Sequence, residues 1–216
     1  MTLPVMLQAA TTVRRATWEL LAVLGSAALH FVTTLCCDLQ AVDQIVLGSG
    51  WLGYVLWRAR TPGVLAGWGL QRAGLRACSR AASLAFVTGA IACAAIGVAR
   101  HTFVLDWHLL PLLLVYPLWG LVQQLLVLGI VVGNLERFGM GRFPLALTAG
   151  LGFAVVHAPD WPLCGATLVL GVACCTLFLR HRCLWPLGVL HGWLGAVFYR
   201  WVLARDPWAE FLSAFA

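Results

Sequence analysis

The sequence predicts an all-α fold, a polytopic transmembrane helical bundle of about seven spans (six to eight). Three observations carry that prediction. Of the 216 residues 62% are hydrophobic, well above the roughly 45–50% of a soluble domain. Only 10% are charged, where a soluble chain carries about 25%. The mean hydropathy is +0.90, and the apolar residues fall in long runs rather than at the spacing of a half-buried surface helix. A soluble fold of this size has too little interior to bury so much apolar surface. Lipid as the solvent removes that requirement. The eleven Trp fit the same environment, because Trp favours the headgroup region.

Seven apolar runs are long enough to be considered as spans: Trp18–Leu35, Ala41–Trp57, Ala81–Ala99, Leu109–Gly133, Phe143–Ala158, Trp161–Leu179 and Leu184–Leu203. A span needs about 20 residues, so the second and fifth are short and would have to be tilted, broken or re-entrant. The first run follows Arg14 and Arg15 and shows no cleavage signature, so it is expected to remain as a span. Between the second and third runs, Thr61–Arg80 carries Gly, Pro and three Arg and is expected to be a linker with an amphipathic interfacial helix. The C-terminal Pro207–Ala216 is expected on the opposite surface. The chain divides into N-terminal spans (1–68), a core (69–203) and a short tail (204–216), all within one integral membrane domain.

All 14 basic residues are Arg, and they are distributed unevenly. With the N-terminus cytoplasmic and the runs alternating, eleven Arg fall inside and three, Arg100, Arg200 and Arg205, outside. This is the positive-inside pattern. The net charge of +6 is therefore assigned to cytoplasmic loops, and no basic block suggests nucleic-acid binding. The expected location is a bacterial plasma membrane, with membrane lipid as one partner.

Several chemistries are disfavoured. The eight Cys form no C-x-x-C pair, so neither a zinc nor a redox motif is indicated. Cys36, Cys37 and Cys164 fall on the side assigned as external, where a disulfide is conceivable. No H-E-x-x-H occurs. Gly48-Ser49-Gly50 lacks the leading Gly of a G-x-S-G serine motif, since Leu47 stands there. No carboxylate is read at mid-membrane, which counts against an ion-coupled transporter.

Polar groups inside an apolar bundle are the informative residues. The fourth run holds Gln123 and Gln124, the fifth holds Phe153 and His157, and the seventh holds His191. From the helical rise, Gln123 and His191 lie about 10–15 Å from the inner face and His157 about 20 Å from it. Each alone reads as helix–helix glue; together, from three runs, they read as a shared polar site. Gly129 with Gly133, and Gly188 with Gly192 around His191, have the G-x-x-x-G spacing of close helix packing.

The order of a polar pair, F-x-x-x-H (Phe153 to His157) and a W-P run leading to His191 resembles the CPBP family of intramembrane proteases (CAAX protease, bacteriocin-processing or Abi proteins). The stretch Trp68-Gly69-Leu70-Gln71-Arg72 resembles that family's G-L-x-R segment. The resemblance covers about Gly69 to Tyr199. It implies an endopeptidase acting on a membrane-anchored peptide or protein. By resemblance the catalytic set is His157, His191, Gln123 and Gln124, with Phe153 in contact with substrate. In the family a Glu-Glu pair activates water and the histidines hold water and oxyanion. Here that pair is Gln123-Gln124, the first-motif Arg is Leu128 and the third-motif Asn or Asp is Gly195. Gln cannot take a proton, so either His157 or His191 is the base, or the chain is a catalytically inactive homologue that binds a membrane peptide or lipid. No cofactor is expected, and a metal at His157 and His191 lacks a third strong ligand.

Overall fold

The computed structural model describes residues 3–36 and 40–213. Ten α-helices and two π-helical stretches follow one another, with no strand among the described residues. Two N-terminal helices, α1 (Leu3–Cys36) and α2 (Gln40–Ala59), lead to the short α3 (Val64–Gly67). The long α4 (Leu75–Ala99) precedes α5 (Leu109–Gln124), which runs through a π-helical stretch (Leu125–Val132) into α6 (Gly133–Arg137). Then come α7 (Arg142–Val155), α8 (Trp161–His181), α9 (Trp185–Val197) with a second π-helical stretch (Phe198–Val202), and α10 (Pro207–Ser213).

Four helices are long and apolar enough to cross a bilayer: Thr11–Thr33, Leu75–Ala99, Leu109–Arg137 and Trp161–His181. A fifth results if Trp185–Val202 and Pro207–Ser213, bent by 90°, count as one. Four or five is thus the count that helix length and apolarity support among the described residues, against the expected seven or so. The fifth apolar run forms a helix of only 14 residues, α7, about 21 Å long against a hydrocarbon core of about 30 Å. The second run forms α2, a helix of 20 residues that is long enough but carries Asp43 and Arg58 and is less apolar than the four. Outward-facing apolar side chains such as Leu84 (70% exposed), Leu118 (68%) and Val169 (69%) suit a lipid-covered surface and would be a liability in water.

Within Thr61–Arg80 the helical parts are the four residues of α3 and the opening turns of α4, which begins at Leu75, rather than a separate interfacial helix. The linker is a tight packing element. Trp68 is buried, and Gly69 has φ +84°, where an added Cβ would lie 2.6 Å from Phe178. Leu184 N–H donates to the Gly69 carbonyl (2.9 Å), and the Gln71 amide donates to the Arg182 carbonyl (3.0 Å). Only glycine fits that φ and that contact together. The segment that resembles G-L-x-R therefore anchors the turn between α8 and α9.

In lipid, helices gain no hydrophobic drive to associate, so close backbone approach has to hold them together. α5 and α9 use glycines for this. A Cβ on Gly188 would lie 2.8 Å from Leu121 Cα, and one on Gly192 would overlap the Tyr116–Pro117 peptide. Pro117 contributes a second effect. Having no N–H, it leaves the Leu113 carbonyl without its helical donor, and the Trp193 indole N–H of α9 donates to that oxygen (2.9 Å). α7 and α8 cross the same way, with a Cβ on Gly171 only 2.8 Å from Gly150 Cα.

Glu19, at the start of the first apolar run, is a buried carboxylate whose partners the sequence does not reveal. It lies in the Thr11–Thr33 span and is 5% exposed. Its carboxylate accepts from Tyr54 Oη and from Asn134 Nδ2 (2.6 Å), with Arg58 Nε 3.8 Å away. The charge is thus neutralised by groups from α2 and α6, which joins the N-terminal helices to the core. Cys36 and Cys164 are free thiols, and Cys37 lies outside the described residues.

Candidate active site

α5 brings in Gln124, α7 brings in Phe153 and His157, and α9 brings in His191. Gln124 sits at the last turn of regular α-helix before the π-helical stretch. A wide turn of this kind re-aims the side chains beside it and is frequent at functional sites. Gln124 is 1% exposed, and its Nε2 lies 3.3 Å from His191 Nδ1. Its Oε1 is buried without a hydrogen-bond partner. Gly120, one turn earlier, faces α9: a Cβ there would lie 3.2 Å from His191 Cβ. The glycine spacing around His191 therefore does bring another helix up to the imidazole.

Phe153 is buried between the two imidazoles. Its ring centroid is 5.1 Å from the His157 ring and 5.1 Å from the His191 ring, both edge to face. Both imidazoles therefore meet on one aromatic ring despite the depth difference read from helical rise. α7 ends at Val155, and His157 in the following turn folds back so that its Nδ1 lies 2.8 Å from the Phe153 carbonyl. That bond returns the ring to the level of Phe153.

A carbonyl only accepts, so His157 Nδ1 carries the hydrogen, and in the neutral ring Nε2 keeps the lone pair. With the Gln124 amide nitrogen as the donor, His191 Nδ1 accepts and its Nε2 carries the hydrogen. One imidazole is then a base and the other a hydrogen-bond donor, with Phe153 between them.

Gln123 is half-buried and makes no side-chain hydrogen bond among the described residues, so the two glutamines are not equivalent. Leu128, where the resemblance implies Arg, is fully buried in the apolar core. Gly195, where it implies Asn or Asp, has only the Tyr116 ring near a prospective Cβ, at 3.8 Å. His30 of α1 is close enough to His157 to act on it electrostatically. It escaped sequence reasoning because a lone His in an otherwise apolar run carries no motif.

Asp160, the acid nearest in sequence, caps α8 through Leu163 N–H (3.2 Å) and pairs with Arg205 (2.6 Å). Among the described residues, the three acid or imidazole groups with ligand atoms within 4.8 Å of one another are Asp106, His108 and Asp206. They lie at the end of the bundle that carries Arg200. His157 Nδ1 is already committed to a carbonyl.

A family model described as Type II CAAX prenyl endopeptidase Rce1-like matches residues 105–197. The match begins in the loop ahead of α5 and ends with α9, so it contains Gln123, Gln124, Phe153, His157 and His191. It bears out the resemblance to the CPBP family read from the motifs. No curated protein and no solved structure matches the chain.

Proposed function

Because residues 105–197 carry the match to Rce1-like CAAX endopeptidases, we propose that the chain is an intramembrane endopeptidase that cuts a membrane-anchored peptide or protein. The observation that supports this reading is the meeting of two imidazoles on the Phe153 ring, one of them against Gln124 and the other against the Phe153 carbonyl. His157 Nε2 takes a proton from water as the water oxygen bonds to the scissile carbonyl carbon. The carbonyl becomes an oxyanion, to which His191 Nε2–H donates. The C–N bond then breaks, and the proton held by His157 passes to the departing amine. Gln124 orients His191 through Nδ1, and its Oε1 is an acceptor for the attacking water or for a substrate N–H. This assigns to histidine the proton transfer that two glutamines cannot perform.

A second reading is a homologue that holds a membrane peptide or lipid without cutting it. The full burial of Leu128 and the partners already holding Asp160 favour it, since among the described residues no carboxylate hydrogen-bonds to either imidazole. One experiment separates the two. Terminal-peptide mass spectrometry would compare membranes of the native strain with His157→Ala and His191→Ala strains at matched protein abundance. Under the protease reading a processed terminus disappears in both variants. If every terminus persists while a growth or immunity phenotype is retained, the binding reading takes its place.

A further inference from the structure

A cleft of roughly 550 Å³ lies between the start of α7 and the end of α8, on the exposed side of that hairpin. One end is strongly basic. Arg142 is the first residue of α7 and Arg180 lies in the last turn of α8; both are exposed and line the cleft. Neither makes a hydrogen bond or ion pair among the described residues. The carboxylate that acts electrostatically on Arg142, Glu136, is already held by both guanidinium nitrogens of Arg182. The other walls are apolar: Phe143 is 79% exposed, Leu147 is 43% exposed, and Val172 faces them. Thr176, also in the cleft, donates its hydroxyl to the Val172 carbonyl (2.8 Å), so it does not compete with the two arginines. The α7 N-terminus opens there with no side-chain cap, which adds a weak preference for negative charge.

We infer that this cleft binds an anionic phospholipid, with its phosphate between Arg142 and Arg180 and an acyl chain along Phe143, Leu147 and Val172. The charge complementarity sets the headgroup class. Two unpaired guanidiniums favour a phosphate that carries net negative charge and disfavour one followed by a trimethylammonium. The apolar wall continuous with the charged end sets the tail, because a free phosphate would leave that wall uncovered. The site is about 16 Å along α7 from Phe153, so it stands apart from the proposed chemistry and does not depend on it.

The test is lipid retention by the purified full chain, measured by native mass spectrometry after equilibration with phosphatidylglycerol or phosphatidylcholine. The wild type is expected to keep phosphatidylglycerol in preference to phosphatidylcholine. The double variant Arg142→Gln/Arg180→Gln should lose that preference. Thr176→Trp, which fills the cleft and leaves both charges, should lose it too, and this covers the case in which the double variant does not fold. Arg72→Gln/Arg76→Gln removes two other exposed arginines and should keep the preference. Retention unchanged in both cleft variants overturns the proposal. So does equal loss in the Arg72/Arg76 control, which would mean general surface charge. Equal retention of the two lipids, or complete displacement of phosphatidylglycerol by inorganic phosphate, would also overturn it.

Discussion

At the scale of single residues, the adjacent glutamines separate. Sequence alone treats Gln123 and Gln124 as a pair, because they occupy the two positions of one motif. The structure buries Gln124 against His191 and leaves Gln123 half-buried without a side-chain bond. Replacing Gln124 by Leu removes the donor to His191 Nδ1 and leaves that nitrogen buried and unpaired, at a cost of about 1–3 kcal/mol. It also releases the tautomer, so His191 Nε2–H is no longer held as a donor; losing such a donor costs about 10²–10³ in rate. Gln123→Leu is expected to change stability by less than about 1 kcal/mol, since it removes no hydrogen bond. The direct measurement is ¹⁵N-histidine NMR. Wild-type His157 should show a protonated Nδ1 and His191 a protonated Nε2, and only the His191 pattern should change in Gln124→Leu. Identical tautomers in the two rings would remove the acid–base assignment. His157 and Phe153 were legible as F-x-x-x-H. The bond that folds His157 back onto the Phe153 carbonyl was not, because it depends on α7 ending at Val155 rather than running on to Ala158.

At the scale of elements, glycine spacing was legible and its partners were not. G-x-x-x-G around His191 announces a close helix approach, but the partner, the Tyr116–Pro117 turn of α5, emerges only in three dimensions. The same pattern at Gly129 and Gly133 divides: Gly129 admits the Trp68 backbone, with its prospective Cβ 3.1 Å from the Trp68 carbonyl, while Gly133 meets only its own helix at 3.8 Å. These contacts give an ordered series. Gly192→Ala places a methyl into the α5 backbone, which cannot yield as a side-chain tip can. It is expected to destabilise by at least the ~1–3 kcal/mol of ordinary overpacking and to break the Gln124–His191 bond as α9 moves away. Gly152→Ala and Gly165→Ala meet nothing within 4 Å and should be neutral or gain up to about 1 kcal/mol from helix propensity. Thermal unfolding of the detergent-solubilised variants checks the order. Equal melting temperatures for Gly192→Ala and Gly152→Ala would mean that the α5–α9 crossing is looser than described. Span number was the least legible element property, since a run of apolar residues does not reveal where the helix inside it stops. α7 halts after 14 residues, and that is what leaves His157 in a turn beside the site rather than within a helix.

At the scale of the whole molecule, composition alone fixed the membrane environment, and the Arg asymmetry identified two chemically different ends. At the Arg-rich end Arg182 holds Glu136, and the Trp68–Gly74 linker packs on the α8–α9 turn. At the other end a compact charge cluster closes the molecule, and its groups come from positions too far apart in sequence to be paired by inspection. Asp206, just before α10, accepts from His108 (2.5 Å) and from Ala209 N–H (3.0 Å), with Arg200 at 3.0 Å; Arg200 also pairs with Asp106. Burial alone would raise the Asp206 carboxyl, but these hydrogen bonds and the Arg200 charge outweigh it and hold its pKa below the ordinary 3.8. A carboxyl depressed on folding contributes stability that is fully present above its unfolded pKa and lost as pH falls through the folded one. Asp206→Asn should therefore be less stable than wild type at about pH 5 and above, with the gap closing as pH drops toward about 3. Melting curves of both proteins across that range, at fixed salt, measure the gap directly. A gap that stays constant with pH would mean that the Asp206 carboxylate does not hold the turn into α10 through its charge. Closure of the gap would place the attachment of α10 to α5 under the control of one acidic group.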